Sequence, residues 1–265
     1  MRQLFAIFGN PVHHSKSPLM HNLAFKTLGY PGCYNRWLIE EGERLRETFF
    51  ALRLKGANIT VPHKEWALKA ADVAEPFAAE VRAVNTLVLR EGKLFGYNTD
   101  APGFYRALQK LGRVETALVM GAGGTARALS LYLRKQGIDV EVVNRSAGRL
   151  EWFQKEGFIS HTWEGFRAGK HDVVINTTSA GLTDDALPMP KNLLDAALAK
   201  ARFAVDVIYG KETPFLKEAK RLRLPHFDGT EMLLQQGIIA FDHFTDYRYS
   251  LDEIEEAMRS FLKLC

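Results

Sequence analysis

The stretch Ala117–Ala126, ALVMGAGGTA, constrains the fold more than any other part of the chain. Ala117–Met120 is an apolar run that reads as a buried strand. Gly121, Gly123 and Gly124 read as a tight turn, and a helix follows to Gln136, ended by Gly137. A strand that enters a helix through a glycine-rich turn opens a βαβ unit and therefore a parallel sheet. The spacing is G-x-G-x-x-A, with Ala126 in the place of a third glycine. Gly121 lets the chain turn sharply, and Gly123 lets the backbone approach a pyrophosphate. The helix start then offers free N–H groups and a partial positive charge to that anion. Gly121, Ala122, Gly123, Gly124, Thr125 and Ala126 are accordingly the candidate cofactor contacts.

The next strand, Val140–Val143, carries the information on cofactor type. A dinucleotide site that reads a free ribose places a carboxylate after this strand. This chain has Asn144, Arg145 and Ser146, then Arg149. Two arginines suit a 2′-phosphate, because the planar guanidinium donates two hydrogen bonds and stacks on a flat base. The expected cofactor is therefore NADP(H).

The rest of the chain alternates short apolar runs with helical patterns, which predicts an α/β fold with mostly parallel sheets. Strands are expected at Leu4–Phe8, Cys33–Leu38, Ala57–Ile59, Val84–Leu89, Leu94–Tyr97, Val173–Ile175 and Ala204–Val207. Glu91-Gly92 marks a hairpin turn. Helices are expected over Pro18–Leu28, where Ser17 is a cap candidate, over Glu43–Leu52, and from Lys64, Ala101, Glu231 and Leu251. The cycle restarts near residue 113, which predicts two domains: 1–100 with the C-terminal helices 238–265, and 101–237.

Hydrophobic residues make up 46% of the 265 and charged residues 25%, enough apolar side chain for a packed core. The net charge of +4 is scattered without a basic block, so nucleic-acid binding is not expected. The two cysteines, Cys33 and Cys265, have no metal-ligand spacing, and no disulfide or metal site is expected. The apolar N-terminal run is too short for a signal peptide or a membrane span, which makes the cytoplasm the expected compartment.

Four polar clusters sit at the ends of apolar runs in the first half, where α/β folds place ligands: Ser15-Lys16-Ser17-Pro18, Asn58 to Lys64, Val84-Asn85-Thr86 and Asn98-Thr99-Asp100. Singly, each has a structural explanation: Ser17 or Asp100 as a helix cap, Asn58 and Thr60 in a turn, Lys64 in a solvated first turn. In order, S-x-S-P, N-x-T-x-P-x-K, A-V-N-T-L, G-x-N-T-D and G-A-G-G resemble the shikimate dehydrogenase family. The resemblance continues through Asn144-Arg145-Ser146, Asn176 to Gly181, Asp206 to Tyr209 before Thr213-Pro214, and Asp228-Gly229-x-x-Met232-Leu-Leu-x-Gln236.

That resemblance implies an open, mostly parallel N-terminal substrate domain, a C-terminal NADP domain of Rossmann type, and a cleft between them. It implies that Ser15 and Ser17 hold a substrate carboxylate, and that Asn58, Thr60, Asn85, Asp100 and Gln236 bind ring hydroxyls with Tyr209 nearby. Lys64 would be the proton donor and acceptor, supported by Asp100. Thr177 and Ser179 would lie on the cofactor side, and Gly229 and Met232 near the nicotinamide. Leu182 stands where many members carry Met, and Thr177-Thr178 is a local variant. The implied substrates are shikimate and 3-dehydroshikimate, in a monomer or homodimer of the aromatic amino-acid route. The paired serines and arginines favour this over a quinate/shikimate dehydrogenase of broad specificity. Retention of Lys64 and Asp100 disfavours a non-catalytic sensing module, and the serine pair with the N-T-D cluster disfavours a methylenetetrahydrofolate dehydrogenase-like enzyme. His13 and His14 flank the serine pair without an assigned role.

Overall fold

The computed structural model describes residues 2–264, so Cys265 lies outside it. The chain divides into two compact units, Met1–Gly103 with Leu233–Cys265, and Phe104–Met232.

The first unit holds β1 (Gln3–Gly9), β2 (Gly32–Leu38), β3 (Leu54–Ile59), β4 (Val73–Ala74), β5 (Thr86–Arg90) and β6 (Lys93–Tyr97). Their order is β2-β1-β3-β5-β6-β4. β1 pairs in parallel with β2 and β3, β5 runs antiparallel to β3 and β6, and β4 is parallel to β6. The β5–β6 connection turns at Glu91 and Gly92, both with positive φ, 49° and 76°. That pair of left-handed residues matches the right-handed strand twist of a two-residue hairpin. The helices are α1 (Ser17–Thr27), α2 (Leu45–Ala51), α3 (Lys64–Ala70) and α4 (Pro76–Glu80). The start of α5 (Asp100–Gln109) belongs here too. A core of Phe8, Leu45, Phe49, Ala57, Ile59, Val84 and Leu87 fills the space between sheet and helices.

The second unit is a six-stranded sheet, all parallel: β7 (Thr116–Met120), β8 (Asp139–Asn144), β9 (Ile159–Thr162), β10 (Val173–Asn176), β11 (Phe203–Asp206) and β12 (His226–Phe227). The order β12-β11-β10-β7-β8-β9 is the doubly wound Rossmann arrangement, and the chain reverses direction across the sheet between β7 and β10. Ligands bind such sheets at the carboxyl ends of those two strands. The crossovers carry α6 (Gly124–Lys135), α7 (Glu151–Lys155), α8 (Lys191–Leu198) and α9 (Pro214–Arg221). β10 reads VVIN with every residue buried, as a strand covered on both faces requires. α10 (Thr230–Phe244) begins in this unit and ends in the first, and α11 (Leu251–Arg259) packs on α1.

Several elements differ from the sequence reading. The unit boundaries fall inside α5 and α10, at 103/104 and 232/233, because both helices run on through them. β5 starts at Thr86, since Val84 and Asn85 pair irregularly with their neighbours before the ladder begins. Glu43 and Arg44 form a short 3-10 turn ahead of α2. α1 begins at Ser17 itself, and no side chain caps it. β4, β9, β12, α4, α7, α8 and α9 are additional elements, all of them only two to eight residues long.

Candidate functional site

In the first unit, Lys64 opens α3 and Asp100 opens α5. The Lys64 Nζ donates to Asp100 Oδ2 at 2.6 Å, with the side chains 24% and 15% exposed. A cation in a first helical turn faces the positive end of the helix dipole, so this carboxylate offsets a local cost. The pair is dry enough to matter electrostatically and open enough to meet a ligand.

Behind it lies a buried amide network. Asn58 donates through Nδ2 to Thr86 Oγ1 at 3.0 Å. Asn85 donates through Nδ2 to Thr99 Oγ1 at 3.0 Å and accepts the Thr99 N–H at 2.8 Å. Thr99 is thereby held immediately before Asp100. Thr60 ties the loop after β3 to β1, its N–H donating to the Phe8 carbonyl at 2.8 Å.

Ser15 and Ser17 are both buried, and the Ser17 N–H donates to Ser15 Oγ at 3.3 Å. Arg36 Nε donates to the Ser15 carbonyl at 2.9 Å, fixing the loop that carries the pair. His13 and His14 are exposed and meet edge to face at 5.4 Å. The His14 ring is held below the ordinary histidine value, chiefly by burial and then by the charges of His13 and Arg36. Gln236 is buried on α10, with Nε2 donating to the Leu233 carbonyl at 2.8 Å. A Cβ on Gly103 would come within 2.5 Å of the Gln236 nitrogen, so only glycine allows α5 to approach α10 this closely.

Four contributors escaped the sequence reading: Thr86, Thr99, Arg36 and Tyr34, whose hydroxyl donates to Asn58 Oδ1 at 2.7 Å. Thr86 and Thr99 stand inside the quoted motifs and could have been read as network members. Tyr34 and Arg36 lie on β2, outside every motif.

In the second unit, Gly121 has φ +112°, and a Cβ there would meet Thr177 Oγ1 at 2.7 Å. Gly123 and Gly124 are different: they are exposed, and a Cβ on either meets no protein atom within 4 Å. α6 starts at Gly124 without a side-chain cap, so its first N–H groups have no side-chain acceptor. Thr125 is half-buried, whereas Ala122 and Ala126 are packed away. Past β8, Asn144 Nδ2 donates to the Ser146 carbonyl at 3.0 Å, and Arg145, Ser146 and Arg149 are exposed. The Thr177 hydroxyl donates to the Met120 carbonyl at 2.7 Å and so braces the turn, while Ser179 is exposed. Tyr209 is half-buried beyond β11. At Gly229 a Cβ would lie 2.2 Å from the Val207 carbonyl oxygen. Met232 lines a cavity of about 220 Å³ with Phe104, Leu108, Leu111, Val205 and Phe227. An uncapped helix start over an open glycine face, with two exposed arginines and no carboxylate at the end of β8, fits a phosphorylated dinucleotide.

The comparisons with known proteins bear on both units. The family model for the shikimate dehydrogenase substrate binding domain matches residues 7–87. The shikimate dehydrogenase (NADP(+)) of Helicobacter hepaticus is 41% identical over 257 residues, spanning 96% of each chain. The chain belongs to the shikimate dehydrogenase family. The Helicobacter pylori J99 member, also named shikimate dehydrogenase (NADP(+)), is 43% identical over 97% of each chain. Among solved structures, the family's Thermus thermophilus member, in complex with NADP(H) and shikimate, matches with a TM-score of 0.84. It is 37% identical, over 97% of this chain and 99% of that one. Among the described residues, no helix is long and apolar enough to cross a membrane, and no group of three His, Cys, Asp or Glu side chains is arranged to hold a metal.

Proposed function

We propose that this chain catalyses the reversible NADPH-dependent reduction of 3-dehydroshikimate to shikimate, with Lys64 moving the proton and Asp100 holding it in place. It is an oxidoreductase acting on a CH–OH group, and the reaction feeds aromatic amino-acid (chorismate) biosynthesis. The observation that carries the residue assignment is the 2.6 Å contact between Lys64 Nζ and Asp100 Oδ2.

When bound, NADPH supplies the hydride. A ketone that receives hydride becomes an alkoxide, which needs a proton and a positive partner as charge develops. A lysine ammonium provides both, and lysine is ordinarily protonated at neutral pH. Asp100 restrains the ammonium so that little reorganisation is needed at the moment of transfer. In the oxidation direction Lys64 takes the hydroxyl proton instead. Ser15 and Ser17 hold the carboxylate through their hydroxyls, while Asn58, Thr60, Asn85, Asp100 and Gln236 bind the ring hydroxyls, with Tyr209 beside the substrate. On the cofactor, Gly121 to Ala126 hold the pyrophosphate, and Asn144, Arg145, Ser146 and Arg149 hold the phosphorylated ribose. Thr177, Ser179, Gly229 and Met232 flank the nicotinamide side. The enzyme works in the cytoplasm as a monomer or a homodimer, which light scattering on the purified protein distinguishes.

The test is turnover with shikimate and NADP+, followed by the appearance of reduced cofactor, with quinate and NAD+ as the two controls. Rapid turnover with shikimate and NADP+ alone is the expected result. Equal rates with quinate or NAD+ would overturn the specificity assignment, and no turnover from folded protein that binds NADPH would overturn the activity.

A further inference from the structure

We propose that the Asp206 carboxylate is a positioning residue for the nicotinamide end of the cofactor site, holding the segment after β10 against the segment after β11; this rests on the roles proposed above for Thr177, Ser179 and Tyr209, which those two segments carry. Asp206 is the last residue of β11 and is fully buried. It stands in register with Asn176, the last residue of β10. Three groups donate to it: Thr213 Oγ1 at 2.6 Å and Asn176 Nδ2 at 3.1 Å, both to Oδ2, and the Ile208 N–H at 3.0 Å to Oδ1. Three donors suit an ionised carboxylate, which only accepts. Yet among the described residues no cation pairs with it. Burial and the charge of Asp228 push its carboxyl above the ordinary value, while the three hydrogen bonds oppose that rise. A lone buried anion destabilises a fold. Its presence here therefore points to a role that stability does not explain.

Hydrogen bonds run from this carboxylate into both segments. Asn176 Oδ1 accepts the Thr178 N–H at 3.0 Å and the Thr178 hydroxyl at 2.8 Å, and Thr178 Oγ1 accepts the Ala180 N–H at 3.2 Å. The backbone that carries Thr177 and Ser179 is fixed in this way. On the other side, the Ile208 N–H goes to Asp206 and the Gly210 N–H goes to Asp228 Oδ2 at 2.9 Å. Tyr209 thus sits between two amides, each held by a carboxylate. Asp228 is fixed in turn by Thr230, which donates its N–H to Oδ1 at 3.0 Å and its hydroxyl to Oδ2 at 2.9 Å. Thr213 also caps α9 by accepting the Leu216 N–H, so one buried carboxylate joins the ends of two strands to the start of a helix. The junction lies at the carboxyl edge of the sheet, next to β7, where a doubly wound fold binds its ligand. A hydride donor must be held to within about 0.5 Å of its productive place, and a segment anchored by a carboxylate with three donors meets that need.

Asp206→Asn keeps the shape of the side chain but offers one acceptor oxygen to three donors, so at least one link must break. NADPH and 2′-phospho-ADP-ribose, which lacks the nicotinamide, are titrated side by side into parent and variant. The NADPH Kd should rise about tenfold, while that of the nicotinamide-free ligand stays within about twofold. With shikimate and NADP+, kcat should fall roughly tenfold, because the hydride is misplaced. A carboxylate that served only the fold would weaken both ligands equally or neither, and either result overturns the proposal. If Asp206→Asn does not fold, Thr178→Val at the far end of the network takes its place. A loss confined to NADPH is expected there too, and equal effects on the two ligands, or none, overturn the proposal as well. The parent protein's own turnover separates the two readings. No shikimate oxidation by the parent removes the functional assignment and this proposal together. Normal parental turnover with unchanged NADPH binding in Asp206→Asn removes this proposal alone.

Discussion

Alanine at Gly123 and at Gly121 should have opposite consequences, although the two glycines are only two residues apart. Gly123 sits at the helix cap with φ −81° and ψ −175°, an extended conformation open to any residue, and a Cβ there meets nothing. Alanine is a poorer cap than glycine by a few tenths of a kcal/mol, while glycine-to-alanine exchange narrows the unfolded ensemble by about 0.4–1 kcal/mol. The two nearly cancel, so the unfolding midpoint without cofactor should move by no more than about 2 °C. The new methyl would occupy the face that the pyrophosphate approaches, and NADPH affinity should fall at least about tenfold, or ~1.4 kcal/mol. Gly121 reverses the pattern. Its φ of +112° strains an alanine, at about 1–2 kcal/mol. The Cβ would also displace the Thr177 hydroxyl from the Met120 carbonyl, costing about 1 kcal/mol more. Together these lower the midpoint by about 4–12 °C at ~2–4 °C per kcal/mol. Thermal unfolding in the absence of cofactor and a fluorescence titration with NADPH read both quantities. Unchanged NADPH affinity in Gly123→Ala would refute the idea that a ligand approaches that backbone. A fully stable Gly121→Ala would refute the strain argument.

Three further outcomes are expected. Lys64→Ala should lower kcat by about 10²–10⁴ while changing shikimate affinity far less; a variant whose KM alone rises would make Lys64 a binding residue. Arg145→Ala should weaken NADPH by about 1.5–3 kcal/mol and NADH hardly at all, measured by titration with both cofactors; equal losses would remove the arginine from the 2′-phosphate. Stability should fall as pH drops below the ordinary histidine value of about 6.5. Burial holds His21 down to about 3, and burial with the Arg90 charge holds His243 down to about 4, so the unfolded chain takes up these protons first. That stabilisation is complete above pH ~6.5 and is lost progressively on the way down, by roughly 2 kcal/mol for His21 between pH 7.5 and 5. Denaturant unfolding at the two pH values should show this drop, and His21→Phe should remove its share; an identical slope in the variant would mean that the folded protein protonates His21 freely.

The elements that were legible from residues alone are those whose reasons are local. The βα turn at Gly121–Ala126 needs only consecutive residues: an apolar run, glycines where the chain must bend, and a helix start. The cofactor reading likewise rests on the four residues after β8 that hold two arginines and no carboxylate. Helices α7, α8 and α9 went unread because a helix of five to eight residues has too few turns for its periodicity to stand out. Two-residue strands such as β4 and β12 exist only because a neighbouring strand offers its backbone. Packing alone decided that Ser17 lies buried as the first residue of α1 and that no side chain caps that helix.

The sequence by itself determined the parallel α/β class, the dinucleotide turn and the choice of NADP. Each follows from short-range sterics and from residue charge. Only the tertiary structure decided the insertion of the antiparallel β5–β6 hairpin into the first sheet. It alone brought Lys64 to Asp100 across 36 positions and joined Tyr34 to Asn58 across 24. Those partners belong to separate elements, and which side chains meet is set by strand order and burial, quantities that no local pattern contains.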